Sequence, residues 1–266
     1  MLTRILTAIV ALLLLVPLLI FGGEWGACAL FALIAGFSVF EMLGCCGLLK
    51  KYIISIPAIL ISAFTAILPM FQFSFEASYL IAILPCLIVV VLMIAVLDHK
   101  NTDIERLLMF VCLAVYITAG FTSLSYMRAY IGLWAVVLVL AISWATDTFA
   151  YFSGMLFGKK KLCPEISPKK TIAGAIGGTL FGTLAGVIVL WIAIGKPERG
   201  IVALPLSIIS QLGDLAASII KRRFGVKDYG KIFPGHGGVL DRFDSIIPVS
   251  IMSGVMFLTY LIVLSM

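Results

Sequence analysis

Residues 214–244 hold the side chains best suited to handling a metal-bound polyphosphate. The stretch contains Asp214, Lys221, Arg222, Lys227, His236, Asp241, Arg242 and Asp244. It carries four of the thirteen acids, six of the nineteen basic residues and one of the two histidines, in a chain that is 62% hydrophobic. Asp214 interrupts an apolar run. An ionisable group there costs about 2.5–3.5 kcal/mol at mid-bilayer, so it marks a functional site by default. Asp241 and Asp244, at i and i+3, would share one face if a helix starts at that point. Carboxylates interleaved with cations are what a site needs to hold Mg2+ and a polyphosphate together.

The order of these residues carries a resemblance. Ser218-x-x-Lys221-Arg222, then Lys227-Asp228, then Pro234-x-His236-Gly237-Gly238-x-x-Asp241-Arg242-x-Asp244 resembles the signature of the phosphatidate cytidylyltransferases, the integral membrane CDP-diacylglycerol synthases. Nearly every polar residue from Ser218 to Asp244 is in register with it.

A second polar cluster lies upstream. Asp147, Tyr151 and Gly154 fall at helical spacing on one face, and Asp147 leads straight into a basic loop from Lys159 to Lys170. Within that loop, Ser167-Pro168-Lys169-Lys170-Thr171 is expected at a helix start. Proline there fixes φ, free backbone N–H groups point outward, and two cations flank them, which makes a phosphate site. The same family has a similar Ser-Pro-x-Lys-Thr element. It often carries Glu or Gln where this chain has Ala173, so no role is given to that side chain. Lys159 to Lys161 read as a basic face toward anionic lipid.

The elements that must position these groups are membrane helices. A chain of 266 residues with a mean hydropathy of +1.20 carries too much apolar surface for a soluble fold. Its long unbroken apolar runs exclude the alternating pattern of a barrel. The reading is an all-α polytopic bundle of about nine transmembrane helices, near 4–21, 25–43, 52–70, 78–97, 107–124, 130–150, 171–195, 200–221 and 246–265. Residues 1–140 form a scaffold, and residues 141–266 carry the catalytic helices and loops. Counted over alternate loops, sixteen basic residues fall on one side and three on the other. That bias puts the N-terminus in the cytoplasm, the C-terminus outside, and the site at the cytoplasmic face.

Other features are read as structural. The six cysteines lie in or beside apolar runs without paired metal spacing, which suits packing. His99 beside Asp98 is read as a solvated loop residue, and Thr102 or Asp103 as the cap of the next helix. Glu41 is placed near the interface. Gln211, Asp214, Ser218 and Lys221 are spaced 3, 4 and 3 apart, one polar stripe that must be buried against other helices.

The resemblance implies transfer of CMP from CTP to phosphatidate, giving CDP-diacylglycerol and pyrophosphate in a plasma membrane. The catalytic set would be Asp214, Lys221, Arg222, Lys227, His236, Asp241, Arg242 and Asp244. Asp147, Ser167, Lys169, Lys170, Thr171, Ser218, Gly237 and Gly238 would bind substrate. Asp214, Asp241 and Asp244 would hold Mg2+, alone or with a second cation. CTP, phosphatidate and membrane lipid are the expected partners, with a homodimer as the assembly and no nucleic acid. Two alternatives use similar parts. A CTP-dependent polyprenol or lipid-alcohol kinase would direct attack to the γ-phosphorus. An ion-coupled transporter would use Asp147 and Asp214 as a path, but it predicts polar groups spread across the membrane.

Overall fold

The computed structural model describes residues 13, 15–71, 103–233 and 237–265, with side chains up to residue 259. Six helices are long and apolar enough to cross a membrane: Gly23–Cys45, Tyr52–Phe71, Ile104–Tyr130, Leu133–Phe157, Ile172–Ile194 and Pro197–Arg223. A further apolar helix, Ile246–Ser265, follows the charged stretch. The protein is an all-α polytopic membrane protein. These helices correspond to seven of the expected spans. The expected span at 78–97, most of that at 4–21, and His99 lie outside the described residues.

Below, α1 is Gly23–Cys45, α2 Tyr52–Ile67, α3 Ile104–Tyr130 and α4 Leu133–Phe157. Next come α5 (Ile172–Ile194), α6 (Ala203–Arg223), α7 (Leu240–Phe243) and α8 (Ile246–Ser265). A hairpin of β1 (Lys161–Cys163) and β2 (Ser167–Thr171) precedes α5.

The chain divides into two compact units. Met1–Ala129 with Asp228–Asp241 makes one, and Tyr130–Lys227 with Arg242–Met266 makes the other. In the first unit, Trp25 meets Phe71 edge-to-face at 5.8 Å, and Thr118 Oγ1 donates to Ser62 Oγ at 2.9 Å. Asp103 caps α3 as expected, its Oδ1 accepting from the Glu105 and Arg106 N–H groups at 3.0 and 3.3 Å. Cys28 and Cys46 are buried, and burial pushes the Cys46 thiol up to about 12, so it stays protonated and inert.

The second unit is held by small residues on α5. Gly174, Gly178, Gly182 and Gly186 are spaced by four and buried. They form a small-residue stripe of the kind that lets membrane helices approach closely. A Cβ at Gly178 would stand 2.8 Å from the Thr146 carbonyl oxygen, and one at Gly174 would stand 2.6 Å from that of Ala150. Thr146 of α4 and Ser207 of α6 hydrogen-bond at 2.9 Å across this seam, and Ser207 Oγ also donates to the Gly178 carbonyl at 3.3 Å. Phe149 stacks on Phe181 with ring centroids 4.1 Å apart. The seam fixes the helices that carry Asp147 and Asp214.

Candidate active site

In the second unit, acids and lysines meet in pairs. Lys170 Nζ lies 2.6 Å from Asp214 Oδ2, with both side chains about a quarter to a third exposed. Lys170 also donates to the Gln211 carbonyl oxygen at 3.4 Å, one turn before Asp214 on α6. Lys221 Nζ lies 3.6 Å from Asp244 Oδ2, each side chain 13% exposed. On α4, Asp147 Oδ2 accepts from Ser245 Oγ at 2.8 Å. The charges of Asp214, Lys170 and Arg242 all act on Asp147. The expected stripe on α6 is present. Gln211 Nε2 donates to the Ala175 carbonyl at 3.2 Å and to Thr179 Oγ1 at 2.9 Å, which seats the stripe against α5. Ser218 is half-buried on the same helix.

The Ser167–Thr171 element leads into a helix start as expected, with Thr171 the N-cap of α5, but its own backbone is extended. It is strand β2, antiparallel to β1, with Lys161 opposite Thr171 and Cys163 opposite Ser167. Pro168 is tolerated because the two-stranded sheet consists only of edge strands. Two N–H groups at the N-terminus of α5 have partners within the protein. Thr171 Oγ1 accepts the Gly174 N–H at 3.1 Å, and the Ile172 N–H donates to the Lys160 carbonyl at 3.0 Å. A strand also sends neighbouring side chains to opposite faces. Lys170 is half-buried against Asp214, whereas Lys169 is exposed. The two side chains therefore leave the strand on opposite faces.

Asp241 and Asp244 do not share a helix face either. Helix α7 ends at Phe243, and Asp244 follows it with its Oδ1 accepting the Ser245 N–H at 2.9 Å. Asp241, 8% exposed, belongs to the first unit. Its Oδ2 accepts the Tyr229 N–H at 2.8 Å and the Gly238 N–H at 2.9 Å. Gly237 has a φ of +87°, and a Cβ there would stand 2.9 Å from that same oxygen, so only glycine suits the turn. Arg222, Lys227 and Arg242 are exposed. His236 lies outside the described residues.

A profile of the cytidylyltransferase family matches residues 2–261. The chain belongs to that family. Among curated relatives, the phosphatidate cytidylyltransferase of Staphylococcus haemolyticus is 35% identical over 253 residues, 91% of this chain and 93% of that protein. That of Staphylococcus epidermidis is 37% identical over 254 residues, again 91% and 93%. That of Brucella abortus is 46% identical over 135 residues, 48% of this chain and 50% of its own.

Two residues were not picked out for the site from the sequence. Ser245 adjoins Asp244 but lacks any distinguishing pattern. Glu41 does have a signal, an acid in an apolar helix, the same one that marks Asp214. Glu41 is 3% exposed, and its two carboxylate oxygens accept the Val239 and Leu240 N–H groups at 2.9 Å each.

Proposed function

We propose that the protein transfers CMP from CTP to phosphatidate, giving CDP-diacylglycerol and pyrophosphate. The observation that carries this reading is the pairing of Lys170 with Asp214 beside Asp147, in a chain of the cytidylyltransferase family whose relatives are named phosphatidate cytidylyltransferases. An oxygen of the lipid phosphate forms a bond to the α-phosphorus. The bond from that phosphorus to the bridging oxygen breaks, and pyrophosphate leaves with the electron pair. A phosphate dianion is already nucleophilic, so the chain needs no strong general base, and alignment and charge neutralisation carry the catalysis.

The donor set fits Mg2+, which takes hard oxygen ligands and is usually held by one or two carboxylates plus substrate phosphates. Asp214 and Asp244 would hold it. Asp241, with Oδ2 given to two backbone N–H groups, is assigned to the loop. Bound there, the ion would neutralise charge developing on the phosphate oxygens. Among the described residues no three metal-ligating side chains form a ready cage, so the assignment rests on the chemistry of the donors. Lys170 and Lys221 can turn from their carboxylates toward phosphate, because an ammonium on a four-carbon stem exchanges partners readily.

We place the site at the cytoplasmic face of the plasma membrane, with the C-terminus outside, on the basic-residue bias. A reporter fused after Met266 should then read as extracytoplasmic, and a cytoplasmic signal there would overturn the orientation. The reaction itself is tested with purified protein, phosphatidate, and CTP labelled separately at α and γ. Label from the α position should enter the lipid. Label from γ alone would mean a kinase, and no transfer of either would end the assignment.

A further inference from the structure

Helix α1 brings a carboxylate into the signature loop that no charge pattern in that loop announces. Glu41 Oε1 accepts the Val239 N–H and Oε2 accepts the Leu240 N–H, each at 2.9 Å, so both oxygens serve consecutive peptide groups. The loop is shaped around this carboxylate. A Cβ at either Gly230 or Gly238 would run into the Glu41 carboxyl group. Asp241 completes the arrangement by accepting the Tyr229 and Gly238 N–H groups at 2.8 and 2.9 Å. Residues 229, 238, 239 and 240 thus hang on two buried acids, one of them 198 residues away in sequence.

The energetics argue against a passive role. A buried carboxylate in a membrane helix is costly, and a second acid, Asp241, is held by the same loop. A neutral apolar side chain would avoid that cost but could not hold two N–H groups in fixed directions. A carboxylate can, since each oxygen accepts and neither donates.

We propose that Glu41 is a positioning residue for the reaction. Its carboxylate fixes the backbone at Val239 and Leu240 and so holds the loop that carries Asp241. The role rests on the function proposed above, because it matters to catalysis only if the signature loop handles the nucleotide. Glu41 touches no substrate in this scheme. It acts through the peptide groups that it holds.

Glu41→Gln is the sharpest test. The variant keeps the shape but places an amide NH2 against a backbone N–H, so one of the two bonds is lost. Its kcat for CMP transfer should fall about tenfold to a hundredfold, the scale of a hydrogen bond to a charged group. KM for CTP should change by less than about threefold, because the groups that neutralise the triphosphate lie elsewhere. Independently of activity, amide hydrogen exchange across residues 228–241 should speed up, while the amides of α4 to α6 keep their protection. Unchanged exchange in 228–241 would overturn the proposal, as would a normal kcat in the folded fraction. Exchange reads the Glu41 contact whatever the reaction is, whereas the α and γ labels read the reaction whatever Glu41 does, so the two failures are distinguishable. If Glu41→Gln does not accumulate as folded protein, Gly230→Ala crowds the same carboxyl from the other side and takes the same two measurements. Failure of both variants to fold would make Glu41 a folding determinant and reject the positioning role.

Discussion

Glu41 and Asp241 in one unit, and Asp214 and Asp244 in the other, are acids of one kind used in two ways. The first pair accepts backbone N–H groups, among them four at 2.8–2.9 Å. The second pair faces lysine ammonium groups, at 2.6 and 3.6 Å, and Asp244 also accepts the N–H of its neighbour Ser245 through its other oxygen. A backbone N–H cannot leave its place without unfolding the loop. A lysine can swing away at the cost of one ion pair and keep its charge for another anion. On the proposed function, the first pair would then hold shape, while the second would hold charge that can be released to a cation and a phosphate. Signature residues of a single sequence motif fall on both sides of this division.

The largest effect should come from removing charge in the second pair. Asp214→Asn and Asp244→Asn should each lower kcat/KM by about 10³-fold, or ~4 kcal/mol, while the protein still purifies folded. Raised Mg2+ or added Mn2+ should restore part of the loss. Asp241→Asn should behave otherwise. It weakens the acceptor for two N–H groups and should lower stability in detergent by about 2 kcal/mol, with faster exchange in residues 228–241. The comparison breaks if the pattern is reversed. Purely structural pairs, being partly buried, would instead leave Asp214→Asn and Asp244→Asn less stable, their folded fraction normally active.

How much of this was legible in the sequence depends on the range of the interaction. Seven of the expected spans and the membrane character follow from apolar runs, which local composition records. Asp214 on a polar stripe was legible because α6 repeats Gln211, Asp214, Ser218 and Lys221 with helical period. The hairpin at 161–171 was not. Ser167-Pro168-Lys169-Lys170-Thr171 has the look of a helix entry, and only pairing with Lys161–Cys163 makes it a strand. The partners of Glu41 are hidden from the sequence for a similar reason. They are backbone groups far along the chain, at Val239 and Leu240, and no side-chain pattern encodes a backbone donor.

A smaller effect separates the two lysines of β2. Lys170 neutralises Asp214 and donates to the Gln211 carbonyl, whereas Lys169 is exposed on the opposite face. Lys170→Ala should lower kcat/KM for CTP by about tenfold to a hundredfold, consistent with losing one charge-assisted contact of ~1.5–3 kcal/mol. Lys169→Ala and Lys159→Ala should stay within about threefold, as expected for exposed charges. Equal losses at Lys169 and Lys170 would mean that the hairpin presents both to the substrate, and the strand assignment would then fail to predict function.

The smallest effect concerns Thr171, which the sequence assigns to substrate and the structure gives to the fold. Its side chain is 5% exposed, and its Oγ1 caps α5 by accepting the Gly174 N–H at 3.1 Å. Gly154 sits against that oxygen closely enough that a Cβ there would stand 2.9 Å away, so the cap also seats α4 on α5. Losing a threonine cap typically costs about 1 kcal/mol. Thr171→Ala should therefore lower the detergent-phase Tm by a few degrees and leave KM for CTP unchanged. Thr171→Ser should recover most of the stability, since the hydroxyl alone makes the cap. A helix end shifted by a fraction of an ångström would still reach Lys170, one residue before it, so kcat should fall modestly in Thr171→Ala and return with serine. If KM for CTP instead rises sharply in Thr171→Ala while Tm holds, the hydroxyl touches substrate, and the boundary between shape-committed and charge-bearing groups must be redrawn through the hairpin.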